Sequence, residues 1–350
     1  MKKLSIGDRE IGGGFPTYII AEAGVNHNGD LDTALELVRK AKEIGVDCIK
    51  FQTFKAEAVV TKSAPKADYQ LKVTNQEESQ YEMLKSLELD FESYKVILSE
   101  CDSVGIDFLS TPYNKDDVDF LIKLGVQGFK IASGQLIELD FLKYVAEKKL
   151  PIIISSGMGT LSEISKAIET IRETGNDEIV LLQCVTNYPA DIEDANVLAM
   201  PAMSRALDII VGYSDHVPSN YATYAAVALG ATIVEKHFTL DTKMDGPDHS
   251  SSLDVAGFQE LVNGIRAVES SLGDSNKKPM EAEIRNSKGM RRSIVFKENL
   301  EKGTVLTRDN LTFKRPATGL KPEMMDTFLG KKLSAAVNQD EMLDYKHIAW

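Results

Sequence analysis

Apolar and polar positions follow two rhythms along this chain. Short, nearly continuous apolar runs recur at residues 18–22, 48–52, 107–111, 128–133, 151–155, 179–184, 209–214 and 232–237. Their continuity predicts parallel strands buried on both faces. Between them the apolar residues take a helical period. In the first such segment Asp30 is placed to cap the N-terminus, and Leu31, Leu35, Val38, Ala41 and Ile44 trace one face. Further helices are predicted near 91–104, 116–124, 138–147, 161–173, 195–206, 220–229 and 255–271. Several are followed by glycine, at Gly45, Gly105, Gly125, Gly175 and Gly230, the residue suited to a left-handed C-cap. Eight strand–helix units predict an α/β protein built as a (β/α)8 TIM barrel. A doubly wound sheet would carry phosphate-binding glycines after its first strand, and Glu22-Ala23-Gly24-Val25-Asn26-His27 is not that fingerprint.

The flanking segments read differently. Residues 1–16 suggest a β-hairpin, with Leu4 and Ile6 before Gly7-Asp8 and Ile11 before three glycines, suited to plugging the bottom of the barrel. The stretch 55–90 is longer than an ordinary βα loop and leaves the C-terminal end of a strand, so it is expected over the active face as a lid or partner contact. After a barrel spanning 17–273, the polar residues 274–287 read as a linker to a small domain, 288–350. The charge changes at the same place. The 350 residues hold 40 Lys and Arg against 53 Asp and Glu, a net of −13. Residues 288–350 hold 12 against 8, a net of +4, which leaves −17 on residues 1–287. Such acidity argues against nucleic-acid or anionic-membrane partners. No apolar run reaches the length of a membrane span, and the N-terminus does not read as a secretory leader. Cys48, Cys101 and Cys184 are scattered, with no disulfide framework, so reduced thiols and a cytoplasmic location are expected.

TIM barrels work at the C-terminal ends of their strands. Those ends carry Glu22, Lys50, Gln52, Thr111, Lys130, Ser133, Ser155, Thr186-Asn187-Tyr188, Ser214-Asp215-His216 and Glu235-Lys236-His237. A charge inside a buried strand is costly unless paired or useful. A ring of salt bridges accounts for any one lysine as well as a site does; Lys50, Lys130, Glu22 and Glu235, all interrupting apolar runs beside two histidines, point together to a site. His216 and His237 end neighbouring predicted strands, which lie about 4.8 Å apart, so the two imidazoles can share one metal. Asp215 and Glu235 stand close by as second partners. Two hydrogen-bonded core histidines are the alternative. Nitrogen and oxygen donors without a thiolate favour Mn²⁺, Mg²⁺ or Co²⁺ over structural zinc. Lys50, Lys130 and the hydroxyls read as an oxyanion site for phosphate plus carboxylate. A metal beside such a pocket suits carbonyl polarisation and carbon–carbon bond formation.

The ordered motifs Glu22-Ala23-Gly24-Val25-Asn26-His27-Asn28-Gly29, Lys50-Phe51-Gln52-Thr53-Phe54, Ser110-Thr111-Pro112, Ser155-Ser156-Gly157-Met158, Gly212-Tyr213-Ser214-Asp215-His216, Glu235-Lys236-His237-Phe238 and Gly246-Pro247-Asp248-His249 resemble those of the sialic acid (N-acetylneuraminate) synthase family. Residues 310–320 extend the resemblance to that family's C-terminal antifreeze-like (SAF, β-clip) domain. The resemblance implies condensation of phosphoenolpyruvate with an N-acetylated mannosamine-type sugar and water, giving a nine-carbon acid, N-acetylneuraminate or legionaminate, and phosphate. It implies that His216 and His237 hold a divalent metal, Mn²⁺ first, with Mg²⁺ or Co²⁺ as alternatives. Lys50, Thr111, Lys130, Ser133, Ser155 and Ser214 would cradle phosphoenolpyruvate, and Gln52, Tyr188 and Asp248 would contact the sugar. Glu22 would orient or deprotonate a metal-bound water or a sugar hydroxyl. Arg315 would reach the acetamido group in the partner barrel of a homodimer with swapped SAF domains.

Two departures accompany the match. Gln135 stands where the family commonly has an acid, which removes a charge from the expected sugar side. The segment 183–189 keeps Tyr188-Pro189 and offers either Thr186 or Asn187 as a substrate contact. Other readings of the barrel are a metal-dependent pyruvate aldolase or lyase, and a non-enzymatic carbohydrate- or ice-binding protein, which has no use for such strand ends.

Overall fold

A computed structural model of the chain describes residues 2–75 and 77–350. The chain divides into two compact units, Met1–Gly273 and Asp274–Trp350. The first unit holds the hairpin strands β1 (Lys3–Ile6) and β2 (Arg9–Gly12) and then β3 (Tyr18–Gly24), β4 (Cys48–Thr53), β5 (Asp107–Pro112), β6 (Phe129–Ile131), β7 (Ile152–Ser155), β8 (Ile179–Cys184), β9 (Ile210–Asp215) and β10 (Ile233–His237). The last eight are parallel, in the order β5-β4-β3-β10-β9-β8-β7-β6. β5 and β6 lie side by side and nearly close the ring, with no ladder pairing between them among the described residues. This is the expected TIM-barrel architecture.

Gln135 spans that unpaired seam. Its Nε2 donates to the Pro112 carbonyl at the end of β5 (3.1 Å), and its Oε1 accepts from the Ala132 amide just past β6 (3.3 Å). The residue is buried. The position expected to remove a charge from the sugar side is instead a staple between strand ends.

Period-two alternation explains the two faces of each strand. Ile19, Ile49, Phe129, Ile152, Leu181 and Val234 point outward into the large core shared with the helices. Ile20, Cys48, Leu109, Ile153, Leu182 and Ile233 point inward and form a separate core with Leu4, Ile6 and Ile11 of the hairpin. The hairpin therefore plugs the bottom of the barrel, as its sequence suggests.

The predicted helices form at Leu31–Ile44, Phe91–Val104, Lys115–Leu124, Leu139–Ala146, Leu161–Glu173, Tyr221–Ala228 and Val255–Leu272. Asp30 accepts from the Thr33 amide (2.7 Å), and Gly45 ends the first helix at φ 84°. The helix expected from 195 begins later, at Ala199–Leu207, because Ile192–Asp194 form a tight 3-10 turn and Asn196 takes a positive φ of 43°. The stretch after β4 folds into short helices Ala56–Val59, Asp68–Val73 and Gln80–Ser86. Glu88 anchors it by accepting from the Ala56 amide (2.7 Å), and Val25, Phe54, Met83 and Leu87 form a small apolar cluster of their own.

In the second unit a helix, Glu281–Met290, occupies part of the stretch read as a linker. Strands β11 (Ser293–Phe296) and β12 (Leu311–Lys314) pair antiparallel, as do β13 (Lys332–Leu333) and β14 (Ile348–Ala349). They enclose Ile294, Phe296, Leu306, Phe328 and Leu343. Among the described residues no helix is long and apolar enough to cross a membrane.

Candidate active site

The inward face of the barrel changes character halfway up. Two residues beyond the apolar layer, the same strands present Glu22, Lys50, Thr111, Ser155, Cys184 and Glu235. The period that buries Ile20 and Ile233 thus also aims Glu22 and Glu235 inward. The register places Glu22 beside Lys50 on one side and His237 on the other, and Glu235 beside Ser214. Above this layer lies a cavity of about 230 Å³. Glu22, Lys50, Gln52, Thr111, Lys130, Ser133, Ser155, Tyr188, Ser214, His216, His237 and Asp248 all line it, whereas Thr186, Asn187 and Asp215 are not among its lining residues.

Its floor is an alternating charge cluster. Lys50 Nζ lies 2.6 Å from Glu22 Oε2 and 3.6 Å from Glu235 Oε2. Lys130 Nζ lies 3.4 Å from Glu235 Oε1, which also accepts from Ser214 Oγ (2.9 Å). Lys50 donates to Thr111 Oγ1 at 3.3 Å. All four charged groups are buried. Burial pulls Lys130 below the ordinary lysine range, because Glu235 compensates only in part. Burial acts on Lys50 too, but Glu22 and Glu235 together overcome it and raise its pKa. Burial lifts the Glu22 carboxyl despite Lys50, whereas Lys130 and Lys50 outweigh burial at Glu235 and hold it down at about 2. Ser155 Oγ is buried with no hydrogen-bond partner among the described residues, so the floor has an idle donor beside its lysines.

The histidines stand above. Their ring centroids are 5.4 Å apart, and Tyr188 packs against both at 4.1 and 5.5 Å. His216 Nδ1 lies 2.6 Å from the Val185 carbonyl. A carbonyl only accepts, so Nδ1 carries a proton and Nε2 is the nitrogen left to face the cavity. Burial alone would lower the pKa of this ring, but Cys184 and the Val185 carbonyl outweigh it and raise it. His237 Nδ1 is buried without a hydrogen-bond partner, 3.9 Å from Asp248 Oδ2. Burial, with His216 and Lys50, holds His237 well below the usual histidine range, so it is neutral. Two imidazoles so placed, with His216 held by its Nδ1–H and its Nε2 free of the carbonyl, fit a shared divalent ion. Among the described residues there is no group of three or more His, Cys, Asp or Glu side chains placed to hold a metal ion. Burial also raises the Asp248 carboxyl to about 6.

Some residues sit elsewhere. Asn187 is exposed, while Thr186 Oγ1 is buried without a partner, so of the two alternatives it is the threonine that turns inward. Asp215 does not second the histidines: it points outward, accepting from Lys236 Nζ (2.6 Å) and Thr223 Oγ1 (2.6 Å). Arg315 belongs to the second unit, where its exposed side chain donates from Nε to the Met290 carbonyl (3.1 Å). Sequence reasoning took Glu235 as a second partner to the histidines; its spacing of two from His237 places both on one face, and the structure pairs it with Lys50 and Lys130. It also missed the apolar rim of Val25, Phe54, Val59, Met83 and Leu84, which no local pattern separates from ordinary packing.

Residues 37–277 match the NeuB family and residues 291–349 match the SAF domain. The chain is 43% identical to the N,N'-diacetyllegionaminic acid synthase of Legionella pneumophila, over 96% of each chain. It is 35% identical to the human N-acetylneuraminate-9-phosphate synthase, over 96% of this chain and 93% of that protein. Its fold matches the crystal structure of the N-acetylneuraminic acid synthetase of Leptospira borgpetersenii in complex with citrate, with a TM-score of 0.74 and 29% identity, over 81% of this chain and 95% of that one.

Proposed function

The chain belongs to the NeuB family and is a synthase of that type, and from that premise we propose that it condenses phosphoenolpyruvate with an N-acetylated mannosamine-type sugar and water. The products are a nine-carbon sialic-type acid and phosphate. Of the two acids weighed, a legionaminate is favoured by the higher identity to the Legionella synthase, 43% against 35% for the human one. The observation that supports this most is the floor of the cavity, where two buried lysines and the idle Ser155 hydroxyl converge beneath His216 and His237.

Lys50 and Lys130 would bind the phosphate and carboxylate oxygens, with Ser133, Ser155, Ser214 and Thr111 as hydrogen-bond donors. This fixes the enol carbon C3 facing the mouth of the barrel. Gln52, Tyr188 and Asp248 would orient the open-chain sugar above it. A divalent ion held by His216 and His237, manganese first, would supply Lewis-acid polarisation of the sugar aldehyde. C3 attacks the aldehyde carbon, water adds at C2, and the tetrahedral intermediate loses phosphate by C–O cleavage. Glu22, made more basic by burial, would hold the proton given up by the water or by a sugar hydroxyl.

We also propose a homodimer in which the second unit of one chain serves the partner's barrel, bringing Arg315 to the acetamido group. Arg315→Ala should then stay a folded dimer and lose most activity; near-normal kinetics would defeat that role. The whole reading is tested by phosphate release from phosphoenolpyruvate with N-acetylmannosamine and with a 2,4-diacetamido-2,4,6-trideoxy analogue, before and after EDTA. Release that needs the sugar and stops with EDTA supports it. No phosphate with any acylated mannosamine would refute it.

A further inference from the structure

The cavity is polar at one end only. Lys50 lies within β4 and Phe54 just beyond its end, so the direction of the strand makes the lysine floor the deep end and the Phe54 side the mouth. At the mouth the wall is built from Val25, Phe54, Val59, Met83 and Leu84. These are not loosely exposed side chains. Val25, Phe54 and Met83 are buried in the small cluster, with Val59 and Leu84 packed against it. The polar neighbours on that side are Gln70, Gln80 and the Tyr113 hydroxyl; Gln80 Nε2 already donates to Gln70 Oε1 (3.2 Å), and the Tyr113 hydroxyl donates to Gln52 Oε1 (3.1 Å). Among the described lining residues the lysines are Lys50 and Lys130, both on the floor, and none is an arginine.

A sugar reacting at C1 above the floor directs its far carbon, C6, toward the mouth. On the condensation proposed above, we infer that the wall of Val25, Phe54, Val59, Met83 and Leu84 selects sugars that end in a methyl group over those ending in a hydroxymethyl or phosphorylated carbon. The methyl gains contact there. A hydroxyl in the same place gives up water and finds apolar carbon, and a phosphate finds no cation. An apolar pocket that meets one additional hydroxyl discriminates by about ten-fold to about a hundred-fold.

The test uses the full-length protein with manganese chloride, phosphoenolpyruvate, and either N-acetylmannosamine or its 6-deoxy analogue, two sugars that differ by one oxygen. Phosphate release should give a kcat/KM at least about ten-fold higher for the 6-deoxy sugar. Val59→Ser and, independently, Met83→Gln should each shrink that ratio, mainly by lowering the 6-deoxy value. Release from both sugars within about three-fold of each other in the wild type overturns the inference and leaves the condensation standing. A preference that both variants keep intact overturns the assignment to this wall. No phosphate from either sugar, nor from the diacetamido analogue, overturns the function itself and the inference with it.

Discussion

Glu235→Gln isolates the charge cluster on the floor. Glu235 is the carboxylate facing Lys130, at 3.4 Å, and it also faces Lys50 at 3.6 Å. Glutamine keeps the shape and can still accept from Ser214. It leaves one carboxylate, Glu22, for two buried ammonium groups, and Glu22 is already 2.6 Å from Lys50. Lys130 is then left without its carboxylate in a site where it is 4% exposed, at a cost whether it keeps its charge or gives up its proton. Removing one partner of a buried pair costs about 3–5 kcal/mol. For a unit of this size each kcal/mol is worth about 2 °C in Tm, so the variant should melt at least about 6 °C below wild type. Phosphoenolpyruvate brings back the missing negative charge. The rise in Tm that it produces should therefore be larger in Glu235→Gln than in wild type at equal concentration, because binding stabilises by mass action and affinity for the anion has grown. Differential scanning fluorimetry with and without phosphoenolpyruvate reads both numbers, with the exposed Glu193→Gln as a control. A variant melting within about 2 °C of wild type, or one whose ligand shift is no larger, refutes the account of the lysines as counterbalanced anion ligands.

Three further outcomes follow from other parts of the barrel. Burial raises the Asp117 carboxyl to about 6, despite hydrogen bonds from the Tyr113 and Asn114 amides (3.2 and 3.1 Å). The folded state thus prefers its protonated form, so its contribution to stability is complete below about pH 4 and is lost as pH rises through about 6. Urea midpoints should show Asp117→Asn gaining on wild type from pH 4 to pH 7; a gap that does not change with pH contradicts this. Ile11→Ala empties a fully buried position in the hairpin plug and should cost about 2–5 kcal/mol by chemical denaturation, and less than about 1 would mean that the plug is dispensable. At Gly157 a Cβ would sit 2.1 Å from Thr186 Oγ1 and 2.7 Å from Ser133 Oγ, so Gly157→Ala should displace both and lower kcat/KM at least about ten-fold with an unchanged circular dichroism spectrum. Wild-type kinetics in that variant would show that the Ser133 position is not critical.

What could be read from the sequence was what repeats. A buried parallel strand must be apolar on both faces, so Lys50, Lys130, Glu22 and Glu235 stand out against Ile, Val and Phe without any three-dimensional information. Their spacing of two from Ile20, Cys48 and Ile233 then fixes their direction, and eight strands make that direction the barrel axis. Features that depend on single non-local contacts were not legible. Gln135 reads as a substitution near the sugar, but the unpaired seam between β5 and β6 gives both ends of its amide a backbone partner. Asp215 and His216 are adjacent in sequence, and the same alternation that turns His216 inward turns Asp215 out to Lys236. The 195–206 prediction began early because apolar spacing does not register the positive φ at Asn196. The rim residues are visible only once helix Gln80–Ser86 is folded back over the strand ends.

The acidity of the barrel does not oppose its proposed ligand, and the cluster explains why. Most of the −17 on residues 1–287 belongs to solvated carboxylates, whose fields fade within about 8 Å at physiological salt. At the floor Lys50 and Lys130 are matched by Glu22 and Glu235, so the local sum is near zero before an anion arrives. Binding is then an exchange of partners rather than a capture by net charge. On the proposed reading the lysines would turn from carboxylate to phosphate, and Ser155, which has no hydrogen-bond partner among the described residues, would gain an acceptor. The exchange has a chemical consequence for the group it releases. Glu22 gives up Lys50, the charge that opposes the effect of burial on its carboxyl, and keeps Gln52 as a donor at 3.1 Å. A buried carboxylate that loses its ammonium becomes a stronger base. In the proposed reaction, the arrival of phosphoenolpyruvate therefore prepares the proton acceptor at the moment that the enol carbon is in place. Because every charge in that exchange is buried, salt should hardly change it, in contrast to any attraction between the +4 and −17 segments of two chains, which lies in solvent and weakens as salt rises.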